Sequence, residues 1–270
     1  MLQLRDLQKT FFEGTPNEVR ALRGVSLQIE EGAFVTVIGT NGSGKSTLLN
    51  AVAGSFLVDR GSISLADSDI TRWPEHRRAA MIGRVFQNPF SGTAPSMTVA
   101  ENLALAARRG LSRRLGQLLP ARMQNELRDR VAMLNMQLET RMHNPIGTLS
   151  GGQRQALTLL MATWRRPALL LLDEHTAALD PKSADQIVRL TEQIVSQHKL
   201  TTMMVTHSMQ QAATLGDRII MMNQGSVHAD YAGAHRRRVR AEDLIRRFDE
   251  IRHDKRLDVS AAELLRDVYV

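Results

Sequence analysis

The chain has 270 residues, 43% of them hydrophobic and 23% charged, with a formal net charge of +7, so it can hold one large or two small cores. No apolar run approaches the roughly 18 residues of a membrane span. The opening Met1-Leu2-Gln3-Leu4-Arg5-Asp6 does not form a secretory signal, and a chain without cysteine has no disulfide. Aromatic residues make up only 4%, which argues against a base-stacking platform for nucleic acid. The positive charge then reads as a solvated basic surface, or as attraction to an anionic membrane face.

In chain order, Leu2, Leu4 and Leu7 open an alternating pattern that predicts a strand, and Val25, Leu27 and Ile29 alternate more cleanly. Phe34-Val35-Thr36-Val37-Ile38 is apolar but for one threonine, as in a strand buried on both faces. It runs into Gly39-Thr40-Asn41-Gly42-Ser43-Gly44-Lys45-Ser46-Thr47, after which Leu48, Leu49, Ala51 and Val52 are helically spaced. A strand is expected at 62–65, a helix over 75–82, and a strand over Gly83-Arg84-Val85-Phe86 closed by Gln87. From Thr98 to Asn144 the pattern is helical, part of an inserted subdomain over about 93–160. Ser150-Gly151-Gly152 caps a helix from Gln153 to Thr163. Buried strands follow at 168–172 and 202–206 with a helix between them. Segments 217–223 and 226–229 flank Gln224-Gly225 as a hairpin. Residues 231–270 are expected to add two short helices. One carries Leu244, Ile245, Phe248 and Ile251, and the other starts at Ser260 with Glu263 in capping-box position. Basic residues concentrate at 108–114 and 235–240. Alternating strands and helices give the fold class as α/β, with a mostly parallel sheet covered on both faces.

The chemistry starts at Gly39, where the segment fits the G-x-x-x-x-G-K-[ST] phosphate loop in its required strand–loop–helix setting. Its glycines let backbone N–H groups approach phosphates, and the next helix presents its positive end. Lys45 would reach the β- and γ-phosphates, and the Ser46 hydroxyl would hold Mg²⁺. Asp173 closes the apolar run 168–172, the place of a metal-binding carboxylate in such nucleotidases. Glu174 beside it can orient and polarise an attacking water. The histidines show no metal-ligand spacing.

With Leu149-Ser150-Gly151-Gly152-Gln153 added, these motifs, in this order over about residues 1–230, resemble the ATPase subunits of ABC transporters. The resemblance implies a P-loop fold of ABC type. It would have an N-terminal antiparallel β part, the inserted helical subdomain, and residues 231–270 as a C-terminal helical extension. It implies ATP and Mg²⁺ as cofactors, and a homodimer in which Ser150, Gly151, Gly152 and Gln153 of one copy close over ATP held by the other. A hydroxyl, backbone N–H groups and a helix N-terminus there all favour a γ-phosphate. By the same resemblance Gln87 senses Mg²⁺ and the γ-phosphate, His207 contacts the γ-phosphate and the attacking water, and Asp180 of Ala177-Ala178-Leu179-Asp180 is the polar residue of a dimer-contact loop. Phe11, or alternatively Phe12, stacks on adenine, because the insert Glu13-Gly14-Thr15-Pro16-Asn17 leaves the register open. His175 departs from the small residue or proline usual after the carboxylate pair.

The stretches 151–163 and 173–181 are similar to a bacterial subgroup that accompanies a membrane permease and a lipoprotein-type binding protein and is often assigned to tryptophan or tyrosine uptake. The expectation is therefore an importer motor on the cytoplasmic face of the bacterial inner membrane. Separate transmembrane permease subunits would dock near Gln87 to Asn102, and an extracytoplasmic binding protein would belong to the same system. Two other readings remain: a soluble ABC-type ATPase for cluster assembly or nucleic-acid work, and the motor of a lipid or drug exporter.

Overall fold

The computed structural model describes residues 1–111 and 119–251, with the backbone alone at Ala121. Two long antiparallel strands, β1 (Leu2–Phe11) and β2 (Val19–Ile29), come first. Leu2, Leu4 and Leu7 are all buried although their spacing breaks strict alternation. Asp6, at φ 46°, makes a bulge between Leu4 and Leu7 that turns Leu7 back to the inner face. β3 (Phe34–Gly39) is buried at every position and feeds α1 (Lys45–Ala53), which ends at Gly54 in the left-handed region, φ 86°. β4 (Arg60–Leu65) and the two-residue β5 (Ser68–Asp69) complete an antiparallel sheet of order β2-β1-β4-β5.

The helix expected over 75–82 stops early. α2 (Glu75–Arg78) is one turn, and Ile82 already pairs with Leu169 as the start of β6 (Ile82–Val85). Two tertiary demands override the helical pattern. The sheet takes Ile82, and Arg78, only 1% exposed, is drawn inward to donate to the carbonyls of Thr71, Trp73, Ala51 and Val52. The last two are orphan carbonyls at the C-terminal end of α1.

The helical region follows: α3 (Val99–Ala107), capped by a Thr98–Glu101 box, then α4 (Ala121–Ala132), 3₁₀ turns at Leu138–Thr140 and Ile146–Thr148, and α5 (Gly151–Thr163). The chain returns through β7 (Leu169–Asp173), α6 (Pro181–His198), β8 (Thr202–Val205), α7 (Met209–Thr214), β9 (Arg218–Asn223), β10 (Ser226–Ala232) and α8 (Gly233–Arg238). Residues 241–251 are again helical. The second sheet has the order β10-β9-β3-β8-β7-β6, parallel except for edge strand β10. Gln224 and Gly225 both have positive φ, 46° and 80°, as a I′-type hairpin turn requires. β10 runs past residue 230, so the body of the sheet continues into the segment read as an extension.

The central strands bury both faces. Leu170, Leu172 and Met204 pack with α3, α5 and α6, while Leu169, Leu171, Met203 and Val205 pack with α1 and the antiparallel sheet. A third cluster joins Ile38, Ala212, Ile219 and Met221 to Leu244 and Ile251, with Phe248 partly buried; Ile245, in the same spacing, stays exposed. Full burial of such a side chain contributes about 1.5–3 kcal/mol. The basic clusters are in part structural: Arg109 donates to the Ala162 carbonyl, and buried Arg236 donates to those of Ala212 and Leu215 behind α7. Arg113, Arg114 and the helix start at Ser260 lie outside the described residues. Among the described residues no helix is long and apolar enough to cross a membrane.

Candidate active site

Four neighbouring parallel strands deliver the chemistry-bearing residues to one edge. Val37 of β3 pairs with Val205 of β8, Val205 with Asp173 of β7, and Leu172 of β7 with Val85 of β6. The phosphate loop, His207, Asp173–Glu174 and Gln87 all leave the carboxyl ends of these strands, where open α/β sheets bind ligands.

The loop is shaped by close approaches. Gly44, at φ 97°, caps α1, and a Cβ there would stand 2.5 Å from the Ala21 carbonyl of β2. A Cβ on Gly39 would stand 2.4 Å from both the Met222 carbonyl and the Ser43 hydroxyl. Lys45 is buried and donates to the carbonyls of Gly39, at 2.8 Å, and Thr40, at 3.1 Å. Desolvation lowers its pKa, opposed by the nearby charges of Glu174 and Asp173. The Ser43 hydroxyl is buried without a hydrogen-bond partner. The loop is therefore not saturated by its own groups, which fits a phosphate guest. Asn41, Gly42 and Ser46 are exposed at the mouth, with Thr40 and Thr47 half-buried.

Burial raises the pKa of Asp173 above its usual value, partly offset by Arg84, whose Nη2 lies 3.5 Å from the carboxylate. Arg84 also donates to Asn50 and Ser55 and stacks over Phe86, so it ties α1 to the end of β6. Glu174 takes a left-handed backbone, φ 42°, while its N–H donates to the Val205 carbonyl at 2.9 Å. That turn brings Glu174 Oε2 to 3.3 Å from His207 Nδ1, with the imidazole 63% exposed. Gln87 is exposed beyond β6. Asp173 and the Ser46 hydroxyl are hard oxygen donors, the kind Mg²⁺ takes alongside phosphate oxygens. Among the described residues no group of three or more His, Asp or Glu is placed to hold a metal.

Phe11 is half-buried, edge-on to Phe56 with centroids 5.2 Å apart, and the Lys9 ammonium lies 5.5 Å from its ring. Phe12, at φ 55°, is 69% exposed.

The signature stands elsewhere. Ser150 caps α5 in a reciprocal box: its hydroxyl accepts from the Gln153 N–H at 3.2 Å, and the Gln153 side chain accepts from the Ser150 N–H at 3.3 Å. Gly152 lets α5 approach α6, since a Cβ there would lie 2.9 Å from Ser183. Asp180 caps α6 by accepting from the Ser183 N–H at 3.1 Å. A cavity of about 300 Å³ is lined by Ser150, Gly152, Gln153, Ser183, Gln186 and residues 135–137. The cavity at the phosphate loop, about 250 Å³, is lined by Gly39, Thr40, Asn41, His207, Met209, Ile245, Phe248 and Asp249. Among the described residues the two share none.

His175 has a structural reason. It is 2% exposed, and its Nε2 lies 3.0 Å from the Thr191 hydroxyl of α6. That hydroxyl donates to the Ile187 carbonyl, so the ring nitrogen is the donor. Burial pushes the imidazole down to about 4. Sequence reasoning gave no role to Arg84, Thr176, Thr206 or Gln211, which brace these loops.

Comparison with known proteins agrees with this geometry. The ABC transporter family model matches residues 22–177. The chain is 41% identical to the tyrosine transport ATP-binding protein of Clostridioides difficile, over 92% of this chain and 99% of that one. It is 33% identical to the lipoprotein-releasing system ATP-binding protein LolD of a Ruegeria species, over 83% and 96%. Among solved structures, the dimeric post-hydrolysis state of an ATP-binding cassette bound to ADP and Pi superposes with a TM-score of 0.74 at 27% identity, over 86% of this chain and 98% of that one. The expected α/β cassette fold is met, and the chain belongs to the ABC transporter family as one of its ATP-hydrolysing ATP-binding subunits, which dimerise and work with transmembrane partners.

Proposed function

We propose that this subunit powers import of a small solute, an amino acid of the tyrosine class, by closing as a homodimer over two ATP molecules. The observation that carries the closure is that, among the described residues, the phosphate-loop cavity and the signature cavity of one protomer have no lining residue in common. A phosphate held at Lys45 meets Ser150 only if a second copy supplies it.

In this reading the loop N–H groups of residues 39–47 and Lys45 hold the phosphates, and Phe11 stacks on adenine, with exposed Phe12 as the alternative. Asp173, Ser46 and Gln87 would hold Mg²⁺, which neutralises charge on the β- and γ-phosphates. Glu174 orients and polarises the attacking water, and His207, 3.3 Å from it, holds that water and the γ-phosphate. Ser150 to Gln153 present neutral donors to the partner's nucleotide, and Asp180 lies on the loop that meets the partner.

A groove of about 430 Å³ on the side of β6 and α3 offers Phe86, Ala94, Leu105, Ala106 and Met161, beside exposed Phe90. Its apolar lining would suit a helix of a separate permease subunit, and in this reading the chain works on the cytoplasmic face of the membrane. The similarity to the tyrosine transport ATP-binding protein supports transport of that cargo class; an importer of this kind would also employ an extracytoplasmic binding protein. The similarity to LolD favours lipoprotein release as a second reading.

Deleting the gene and following labelled tyrosine uptake separates the two. Uptake should fall and return with the intact gene but not with Glu174→Gln. Unchanged uptake with lipoproteins retained in the inner membrane would decide for release.

A further inference from the structure

Two loops leave the sheet edge side by side, residues 174–180 after β7 and residues 206–208 after β8. The contact between Glu174 and His207 joins them at the front. A second tie stands behind it, through a side chain of α7. The Gln211 amide nitrogen donates to Thr176 Oγ1 at 3.0 Å, and its carbonyl oxygen accepts from Thr206 Oγ1 at 3.0 Å. Thr206 Oγ1 also accepts from the Ser208 N–H at 3.1 Å, and the Ser208 hydroxyl caps α7 by accepting from the Gln211 N–H at 3.2 Å. Both threonines are buried, at 8% and 3% exposure. His207 lies between Thr206 and Ser208 with most of its imidazole in solvent, so the backbone of this loop, more than packing around the ring, aims it.

We propose that Gln211 is a positioning residue for ATP hydrolysis: by bridging Thr176 to Thr206 it holds the His207 loop against the Glu174 loop and couples His207 to the partner-contact loop 177–180. The inference rests on the roles given above to Glu174 and His207. Gln211 lines neither cavity, touches no nucleotide in this scheme, and acts only through the two threonines. Displacing an aiming group by about 1 Å costs roughly a hundredfold in rate when the group acts in the reaction, with substrate binding spared.

The test compares Gln211→Leu and Gln211→Glu in the full chain, each with and without His207→Ala. It reads kcat and the affinity for a fluorescent ATP analogue. Gln211→Leu should lower kcat about ten- to a hundredfold and change affinity less than about twofold. Gln211→Glu should recover most of the rate, because two carboxylate oxygens accept from both threonine hydroxyls. In the His207→Ala background Gln211→Leu should cost less than about twofold more, since residues acting as one unit are not additive. Additive losses, equal damage from Leu and Glu, or an affinity loss matching the rate loss would overturn the proposal. Gln211→Leu at parental rate sinks the bridge alone, whereas His207→Ala at parental rate sinks the role of His207 on which it rests. Should Gln211→Leu fail to fold, Thr176→Val removes one end of the bridge and must show the same split between rate and affinity.

Discussion

The phosphate-loop cavity and the signature cavity of one protomer are of similar size, and they differ in charge. The first is lined by His207 and Asp249, and near its phosphate loop gather buried Lys45 and half-buried Asp173, Glu174 and Arg84, whose charges act on the ionisation of Lys45 and Asp173. The second is walled by amides, hydroxyls and one methionine, with no charged side chain among its described lining residues. Its strongest electrostatic feature is the N-terminus of α5, whose first N–H groups Ser150 and Gln153 leave partly free. One end supplies ions and reacting groups. The other supplies fixed dipoles, which can meet a triphosphate without bringing a counter-charge that water must first give up.

This contrast breaks most visibly at Glu174. Glu174→Gln keeps the shape of the charged end and removes the proposed base, so turnover should fall by about a hundredfold or more while ATP affinity holds and an ATP-dependent dimer accumulates in light scattering. Ser150→Arg attacks the other end by placing a charge in the neutral cavity. The variant should bind nucleotide as a monomer with parental affinity and lose about a hundredfold in turnover; a normal rate would remove the need for a second copy.

Acid tests the brace behind the carboxylates. His175 titrates at about 4 in the folded chain against 6.5 for the free group. Between those values the unfolded chain binds the extra proton, so this contribution is complete above pH 6.5 and is lost as pH falls toward 4. By pH 5 the loss is about 2 kcal/mol in chemical denaturation, and His175→Asn should remove that share of the acid sensitivity. Lys45→Ala should weaken nucleotide binding itself, about tenfold or more, since a charge-assisted contact is lost; isothermal titration reads it. The smallest effect is Ser150→Ala, which removes one helix cap and should cost about 1 kcal/mol in thermal stability. Comparing it with Ser150→Arg separates the capping role of Ser150 from its proposed role in closure.

What the sequence disclosed was what short segments encode. The phosphate loop, the carboxylate pair at the end of Leu169–Asp173 and the Ser150 helix start are each continuous in the chain, and their places at one sheet edge follow from α/β order. What stayed hidden depends on distant partners. Arg78 shortens a predicted helix because its guanidinium is needed under α1. Asp6 bulges so that Leu4 and Leu7 face the same way. His175 reads as an anomaly until Thr191, sixteen positions on, appears beside it. Arg236 looks like surface charge in a basic run, yet it grips the carbonyls behind α7.

Because the two cavities have no lining residue in common among the described residues, the proposed closure would let lesions at the loop and at the signature be sorted between subunits. A symmetric dimer of Lys45→Ala chains carries the loop defect in both pockets, and one of Ser150→Arg chains carries the signature defect in both. In the proposed sandwich a mixed dimer would gather both defects into a single pocket and leave its twin wholly native. Blending the two impaired preparations should therefore raise activity above that of either alone, and the amount restored reports whether one working pocket suffices to drive a transport cycle.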